Sequence, residues 1–566
     1  MKIFKKKKKF FAIGALVLVL SAVTLVSFTD RDFKIVKSLD IYYTLFRELN
    51  MYYVDKTDPE KLVKTSIDGM LSSLDPYTTY IPESEMDNFK FMTTGQYGGI
   101  GALIRKSDDY AVISEPYESF PAQKAGLQAG DIVLKIDGVS TKGKALDKVS
   151  ELLKGTPNTP VELLIKRPYA EQKEKKFTVT REKITINNVP YYGMVSDSIG
   201  YIRLSNFTSD AGRDVKNALI DLEQNMNAKS VILDLRGNPG GLLVEAVNVA
   251  NVFVPEGQEI VSTKGKVKQW DAVYRTTNSP VDTKIPLVVL VNRGSASASE
   301  IVTGSMQDLD RGVIVGERTF GKGLVQTTRP LSYNAQLKVT TAKYYIPSGR
   351  CIQALDYSHR NPDGSVGHIP DSLITAFKTE NGRTVYDGGG IKPDIHIAPD
   401  QLSNITVSLY AKNFMFNYAT LFHSQHDTIA PPTKFNLSDS QYNDFISFLQ
   451  GKNFDYQTSS EAELQDLIKT AKQEKYYQLA RPEFDSLKVK LAHDKNKDLR
   501  TFQPEIKELL DEEIVSRYYY QKGKIKCSLR DDPQLDGAMG VLKNPEKYRA
   551  ILQPGYNLND TLEAAR

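Results

Sequence analysis

The spacing of apolar and polar residues divides the chain into segments of different character. Residues 33–90 carry apolar side chains at helical spacing and predict helices, one of them with Asp58 as its N-cap. Residues 95–180 contain short apolar runs separated by glycines, with a hairpin turn signal at Asp137-Gly138. This rhythm is typical of a small barrel with one or two helices. From about residue 402 onward, charged residues with apolar stripes predict a mostly helical region.

The segment from about residue 185 to 350 has the pattern of an α/β fold. Its apolar strands are continuous rather than alternating, as expected for a sheet that is covered on both faces. The three strands predicted in this way are 231–235, 286–291 and 312–316. The first two run into turns rich in small residues and then into helices. Functional residues of open α/β sheets gather at the carboxyl ends of strands, so these turns are the first candidates for a site.

Composition and charge exclude several classes of protein. Apolar residues make up 40% of the chain and charged residues 25%, which is ordinary for a globular protein. The net charge is +4, but Lys2 and the run Lys5–Lys9 account for more than that excess, and the rest of the chain is slightly acidic. A nucleic-acid partner is therefore disfavoured. Cys351 and Cys527 lack metal-ligand spacing, so we expect no metal and no cofactor.

The N-terminus predicts export. The lysines precede a nearly uncharged stretch, Phe10–Phe28, that would span about 28 Å as a helix. The lysines would stay in the cytoplasm, and the chain after Asp30 would lie outside it. We therefore expect residues 1–32 to be a signal anchor and the protein to be extracytoplasmic (periplasmic), attached to the inner membrane by residues 10–28. A cleaved signal peptide is the alternative.

Three serines mark the second strand-end turn as a candidate catalytic site. Ser295, Ser297 and Ser299 lie where a strand passes into a helix. A serine at a helix N-terminus is near unpaired N–H groups and the positive end of the helix dipole, which favours a developing oxyanion. An ordinary N-cap serine is the simpler alternative.

A catalytic serine needs a base, and no histidine lies in the α/β segment. Lys322 lies between Gly321 and Gly323 with apolar neighbours. A lysine can act as a base only when it is neutral, which requires removal from water. An exposed turn lysine is the alternative. Gly316-x4-Gly321-Lys322 also resembles a phosphate-binding loop, but Gly323 occupies the position that needs Ser or Thr.

A second glycine-rich stretch, Gly99-Ile100-Gly101-Ala102, could present backbone N–H groups to an anion. A chain-terminal carboxylate is a suitable ligand if an apolar groove follows, because a peptide can then add as a strand. A plain glycine-rich turn is the alternative.

Taken in order, the motifs resemble those of the C-terminal processing peptidases, the tail-specific serine proteases. The resemblance covers about residues 35 to 400. It rests on Leu74-Asp75-Pro76-Tyr77, Gly99-Ile100-Gly101-Ala102, Ala125-Gly126-Leu127-x-Ala129-Gly130-Asp131, Asp234-Leu235-Arg236-x-Asn238-x-Gly240-Gly241, Gly294-Ser295-Ala296-Ser297-Ala298-Ser299-Glu300, Val315-Gly316-Glu317-x3-Gly321-Lys322-Gly323-x2-Gln326 and Tyr345-x-Pro347-Ser348-Gly349-Arg350.

The resemblance implies an α/β protease core with an inserted PDZ domain, an N-terminal helical segment and a mostly helical C-terminal region. The domains expected are residues 33–94 (helical), 95–180 (PDZ), 181–400 (Ser/Lys protease core) and 401–566 (helical, role unassigned).

It also implies a role for each candidate residue. Ser297 matches the nucleophile, Lys322 the general base and Gln326 the residue that orients the lysine. Gly241 and Ala298 match the oxyanion-hole donors, and the segment Gly99, Ile100, Gly101 and Ala102 matches the carboxylate-binding loop of the PDZ domain.

The function implied is that of a serine endopeptidase which recognises free, apolar C-terminal tails of exported proteins and processes or degrades them. The partners expected are proteins or peptides with free C-termini, the membrane through the N-terminal segment, and an adaptor or a second copy through the C-terminal region. The alternative is a membrane-anchored PDZ scaffold on an inactive protease fold.

Overall fold

A computed structural model describes residues 30–361 and 363–556 of the chain. The predicted anchor at residues 10–28 lies outside the described residues. The chain forms two compact units, Met1–Tyr80 and Ile81–Arg566, and a short strand, Thr79–Ile81, spans the division.

The first unit contains two helices, Asp30–Tyr52 and Pro59–Ser72. The side chain of Asp58 accepts a hydrogen bond from the N–H of Lys61, which confirms the predicted N-cap. Pro59 occupies the first turn, where its missing N–H is tolerated.

The second unit begins with a 3₁₀ turn, Glu83–Glu85, and a helix, Met86–Thr94, that ends at Gly95 in a left-handed conformation. A small sheet domain follows. Its strands run in the order Ala102–Ser107, Tyr110–Pro116, Ile132–Ile136, Pro160–Lys166 and Glu174–Thr180, with Val139–Ser140 paired to Ile132–Ile136.

Two helices, Pro121–Lys124 and Leu146–Leu153, belong to this small sheet domain. The turn at Asp137-Gly138 joins two antiparallel strands, so the predicted hairpin is confirmed. Strand Ala102–Ser107 lies at the edge of the sheet, and helix Leu146–Leu153 contacts it. A separate two-stranded ladder, Gln96–Gly99 with Glu182–Thr185, closes the domain.

The central sheet has six strands and is parallel except at its first strand. The spatial order is Tyr191–Met194, Ile199–Arg203, Ser230–Asp234, Leu287–Val291, Val313–Gly316 and Ile395–His396. The three strands predicted from apolar runs are thus neighbours in the middle of the sheet, and every residue in them is buried.

Both faces of the central sheet are covered, as the continuous apolar strands predict. Helices Ala211–Gln224, Leu243–Asn251 and Ala298–Asp308 contribute to the core on one face. The other face packs against helices Pro533–Leu542 and Pro545–Ile551, close to the end of the chain.

A second, antiparallel sheet lies beside the central one. Its strands include Leu324–Pro330, Gln336–Tyr345, Glu259–Gly265 and Ala272–Arg275. Smaller elements are the ladders Leu355–Arg360 with Val366–His368 and Ala376–Lys378 with Thr384–Tyr386, and the 3₁₀ turns Lys268–Trp270 and Asp371–Leu373.

The C-terminal region is helical and builds a core of its own from aromatic and aliphatic side chains. Besides the two helices that cover the central sheet, its helices are Asn404–Ala411, Phe414–Gln425, Asp439–Phe448, Ser459–Gln473, Arg481–Leu491, Lys495–Thr501 and Gln503–Ser528. Among the residues that the structure describes, no helix combines the length and the apolar character needed to cross a membrane.

Candidate active site

Ser297 lies in a strained turn between strand Leu287–Val291 and helix Ala298–Asp308. Its backbone angles are φ 56° and ψ −112°, which non-glycine residues rarely adopt. Such a conformation persists only when the surroundings hold it, and it is common at functional sites. The turn therefore presents Ser297 at the carboxyl end of a central strand and at the N-terminus of a helix.

The other two serines of the cluster hold this turn in place. Ser295 and Ser299 are fully buried. The Ser295 hydroxyl donates to the carbonyl of Leu235 at 2.8 Å, and the Ser299 hydroxyl donates to the carbonyl of Asn238 at 2.8 Å. Ser297 alone of the three is half-buried and lines a cleft.

Lys322 lies on the adjacent turn, after strand Val313–Gly316. This turn is joined to the serine turn, because the N–H of Phe320 donates to the carbonyl of Ser295 at 3.0 Å. The hydroxyl of Tyr344 donates to the carbonyl of Lys322 at 2.6 Å and lies 3.2 Å from the carbonyl of Ser297. The side chains of Ser297 and Lys322 line the same cleft.

A buried carboxylate, Glu300, connects the two turns. Its Oε2 accepts hydrogen bonds from the N–H groups of Ser297 and Lys322, both at 2.9 Å. Its Oε1 accepts from the hydroxyl of Thr319 at 2.6 Å and from the N–H of Gly321 at 2.7 Å. One oxygen atom thus fixes the backbone of the candidate nucleophile and that of the candidate base.

Complete burial raises the pKa of Glu300 to about 7, although the four hydrogen bonds oppose that rise. The carboxylate form is the one that suits this environment, because every group facing its oxygens is a donor.

Gly241 and Ala298 provide two backbone N–H groups beside Ser297. In the described parts of the chain, neither N–H has a hydrogen-bond acceptor. The loop is pressed against the serine turn, since a Cβ added to Gly240 would lie 2.8 Å from the nitrogen of Ala298. The N–H of Ala296 donates to the carbonyl of Asn238 at 3.0 Å and ties the two segments together. Two N–H groups in this arrangement can stabilise an oxyanion.

Gln326 lines the same cleft, on strand Leu324–Pro330. Its Nε2 donates to the hydroxyl of Thr340 at 3.2 Å, on the neighbouring strand. The predicted role of Gln326 in orienting Lys322 stays a prediction.

Gly99, Ile100, Gly101 and Ala102 lie elsewhere, in the small sheet domain. The first three precede the edge strand Ala102–Ser107, and Ala102 begins it; none of the four lines the cleft that contains Ser297. The carbonyls of Ile100 and Gly101 accept hydrogen bonds from Ala122 (2.7 Å) and Tyr117 (2.9 Å). The first three residues of the segment are buried.

The C-terminal helical region also reaches the site. Arg236 begins the loop that leads to Gly241, and its guanidinium pairs with Asp234 and with Asp532, each at 2.7 Å. Burial disfavours ionisation of Asp234, but the guanidinium groups of Arg203 and Arg236 outweigh burial and hold its pKa below the usual range. Asp532 is the N-cap of helix Pro533–Leu542. The start of the loop is therefore anchored from both sides.

The cleft that contains these groups has a volume of about 570 Å³. Its walls are mostly apolar, with side chains from helix Met86–Thr94, helix Leu243–Asn251 and strand Leu324–Pro330. A serine, a lysine and two backbone donors in an apolar cleft can carry out acyl transfer. Within the described ranges, no cluster of His, Cys, Asp or Glu side chains is arranged to hold a metal ion.

Glu300 and Tyr344 are the residues to which sequence reasoning assigned no role. The signal for Glu300 was present, because Ser297-x-x-Glu300 has the spacing of a capping box. Tyr344 carries no comparable signal, since its contact with both turns depends on how the second sheet packs.

Three family models match the chain. "Peptidase family S41" matches residues 198–366, "PDZ domain" matches residues 112–167, and "Probable PDZ-protease, C-terminal helical domain" matches residues 405–542. The fold class predicted from the sequence is thereby confirmed.

Curated relatives extend the match. A "Carboxy-terminal-processing protease" of Bartonella bacilliformis is 38% identical over 331 residues, which is 58% of this chain and 75% of that protein. A "Probable CtpA-like serine protease" of Staphylococcus aureus is 37% identical over 310 residues, 54% of this chain and 61% of that protein.

Among solved structures, the photosystem II D1 C-terminal processing protease is 30% identical. The superposition covers 63% of this chain and 92% of that one, with a TM-score of 0.34. The relatives, rather than this superposition, confirm the family resemblance that the sequence motifs indicate.

Proposed function

This chain belongs to the carboxy-terminal-processing proteases of peptidase family S41, which makes it a serine-type endopeptidase, and we propose that Ser297 and Lys322 form its catalytic dyad. Its substrates are exported proteins with free, apolar C-terminal tails, which the PDZ domain binds and the protease core cleaves. The enzyme acts outside the cytoplasm (in the periplasm), attached to the inner membrane by residues 10–28.

In this mechanism, the neutral amine of Lys322 accepts the proton of the Ser297 hydroxyl as Oγ attacks the peptide carbonyl. The N–H groups of Gly241 and Ala298 hold the oxyanion of the tetrahedral intermediate. The ammonium of Lys322 then protonates the leaving amine, which leaves an acyl-enzyme. A water molecule hydrolyses the acyl-enzyme with the same lysine as base.

The observation that supports the dyad best is the position of Glu300. Its carboxylate accepts hydrogen bonds from the N–H groups of both Ser297 and Lys322, and it is fully buried. A structural N-cap alone would not require the lysine turn to share the same carboxylate. The N–H groups of Gly241 and Ala298, which have no acceptor among the described residues, support an oxyanion role in the same cleft.

The proposal for tail recognition rests on the small sheet domain. Strand Ala102–Ser107 is an edge strand, and helix Leu146–Leu153 lies beside it. A peptide can add to such an edge, with its terminal carboxylate toward Gly99–Ala102. Leu103 is 47% exposed and offers apolar surface for a tail that ends in Ala, Val or Leu.

The test is proteolysis by the purified full chain. Casein and a model protein with an apolar C-terminal tail are incubated with wild type, Ser297→Ala and Lys322→Ala, and the products are identified by mass spectrometry. Matched controls are Ser332→Ala, in the turn between two strands of the second sheet, and Lys343→Met, on one of those strands; both side chains are exposed.

We expect both dyad variants to lose nearly all activity, because nucleophile and base act as a unit. Both controls are expected to cleave like wild type. Full activity in folded Lys322→Ala would overturn the dyad. Absence of cleavage by wild type on both substrates would favour the inactive scaffold instead.

A further inference from the structure

A second lysine, Lys338, lines the cleft that contains Ser297. It lies on strand Gln336–Tyr345, directly opposite Thr328 of the neighbouring strand. Its side chain is half-buried. Throughout the part of the chain that the structure describes, no carboxylate and no hydrogen-bond acceptor lies within bonding distance of its ammonium group.

An ammonium partly removed from water without a counter-charge is unfavourable. Burial alone lowers the pKa of Lys338, and no acidic group offsets this effect. The surrounding walls of the cleft are largely apolar, with Phe91, Ile301 and Leu324 among them. The protein therefore holds a lysine in its substrate cleft whose charged form a bound anion would stabilise.

We propose that Lys338 binds a carboxylate of the substrate and so helps to select which peptides enter the cleft. This inference rests on the proposed function, because it assumes that the cleft binds a peptide for cleavage at Ser297. The carboxylate is either an acidic side chain near the cleavage site or the C-terminal α-carboxylate of the tail, after the tail has left Gly99–Ala102 and entered the cleft.

The strand that carries Lys338 limits the distance between the bound carboxylate and the cleaved bond. Tyr344 contacts the carbonyl of Ser297, and Lys338 precedes it by six positions on the same strand. Both side chains line the cleft, and a β-bulge at Thr341 shortens the strand between them, so they lie at most about 20 Å apart along the strand at about 3.3 Å per residue. Since an extended peptide advances by a similar distance per residue, the carboxylate lies at most about six residues from the cleaved bond.

The experiment uses the full chain and four synthetic peptides with one mapped cleavage site. The peptides combine a free or amidated C-terminus, five residues after the cut, with Glu or Gln at the fourth residue after the cut. Wild type is compared with Lys338→Met, which removes the charge, and Lys338→Arg, which keeps it. Lys343→Met is the matched control, because Lys343 lies on the same strand, is exposed and does not line the cleft. The measurement is kcat/KM for each combination of enzyme and peptide.

We expect Lys338→Met to lower kcat/KM about tenfold more for peptides that carry the carboxylate than for their neutral counterparts. Lys338→Arg should restore most of this preference, and Lys343→Met should not change it. A difference confined to free against amidated peptides identifies the α-carboxylate as the ligand, and one confined to Glu against Gln identifies a side chain.

Equal effects of Lys338→Met on all four peptides would overturn the proposal while leaving the Ser297–Lys322 dyad intact. The same loss in Lys343→Met would also overturn it. If Lys338→Met does not fold, Lys338→Gln replaces it, and a Gln variant that retains the wild-type preference counts against the proposal. Cleavage that persists in Ser297→Ala would instead overturn the proposed function, and this proposal with it.

Discussion

Two glycine-rich loops of this protein are predicted to bind negatively charged groups, and their surroundings in the structure differ. The loop that ends at Gly241 lines the cleft of Ser297, and its last N–H has no acceptor among the described residues. The segment Gly99–Ala102 is mostly buried, and its carbonyls bond to the N–H groups of Tyr117 and Ala122. Glycine content alone therefore does not distinguish the two loops; the first lies in the cleft of Ser297, and the second leads into an edge strand of the small sheet domain.

The first loop is also held far more firmly than its composition requires. Asn238 connects it to the serine turn, and Arg236 connects it to Asp234 and to Asp532 of the C-terminal region. An oxyanion hole needs donors that are fixed before the reaction, because reorganising them would add to the barrier. The second loop instead lies beside an edge strand, where an incoming peptide itself would supply the missing contacts.

The largest effect is expected when the first loop, which ends at Gly241, is disturbed. A Cβ at Gly241 would lie 2.3 Å from the carbonyl oxygen of Phe207, so Gly241→Ala must shift the loop. We expect kcat to fall by about 100- to 1,000-fold, as when one oxyanion donor is removed. Gly540→Ala is the control, since a Cβ there meets nothing within 4 Å. Wild-type kcat in a folded Gly241→Ala variant would contradict the assigned donor.

Glu300→Gln tests whether the serine and lysine turns depend on one carboxylate. In this variant the side-chain NH₂ group replaces one carboxylate oxygen and would face groups that are themselves donors. At least one of the four hydrogen bonds would therefore be lost. We expect kcat/KM to fall about 100-fold, a loss of transition-state stabilisation of about 2.7 kcal/mol. The control is Glu317→Gln on the neighbouring turn, whose carboxylate pairs with the exposed Arg293. Equal activity of the two variants would show that Glu300 is only a packing residue.

The pH dependence follows from the pKa of Glu300. Burial raises this pKa from its usual value of 4.5 to about 7. The folded state therefore binds the proton more tightly than the unfolded chain, so this stabilising contribution is complete below pH 4.5 and is lost as the pH rises through 7. Activity should change in the opposite direction, because the ionised form accepts all four hydrogen bonds.

We expect kcat/KM of the wild type at pH 6 to be about tenfold below its value above pH 8, from the fraction of Glu300 that is ionised. The profile is measured in parallel for Glu300→Gln, which cannot titrate at this position. A rise near pH 7 that persists unchanged in that variant would assign it to another group.

The smallest effect is expected in the second loop. A Cβ added at Gly101 would lie 2.5 Å from the Cβ of Phe120. The backbone of Gly101 also has a φ of +72°, which disfavours any residue with a side chain. Gly101→Ala should weaken cleavage of a tailed protein with a free apolar C-terminus about three- to tenfold more than cleavage of the same protein amidated.

Gly143→Ala is the matched control for Gly101→Ala, because it has a similar φ of +70° but open space around the added Cβ. The outcome that would make Gly99–Ala102 an ordinary turn is equal cleavage of the free and amidated proteins by the wild type.

The central sheet separates what could be predicted from what could not. Its middle strands were recognisable because a run such as Leu287–Val291 is apolar at every position, which burial on both faces explains. The helices that cover the second face of the sheet could not be predicted. It comes from helices Pro533–Leu542 and Pro545–Ile551, which are far away in sequence and carry no motif.

The candidate site divides in the same way. The sequence by itself determined that Ser297 and Lys322 follow strands that are successive along the chain, because turn residues and strand patterns are local and can be recognised segment by segment. Only the tertiary structure decided that Glu300 bonds to both turns, that Gly99–Gly101 are buried and that Lys338 lines the cleft with no counter-charge among the described residues. Each of these depends on which distant segments pack together, and packing is set by the whole set of long-range contacts rather than by any local pattern.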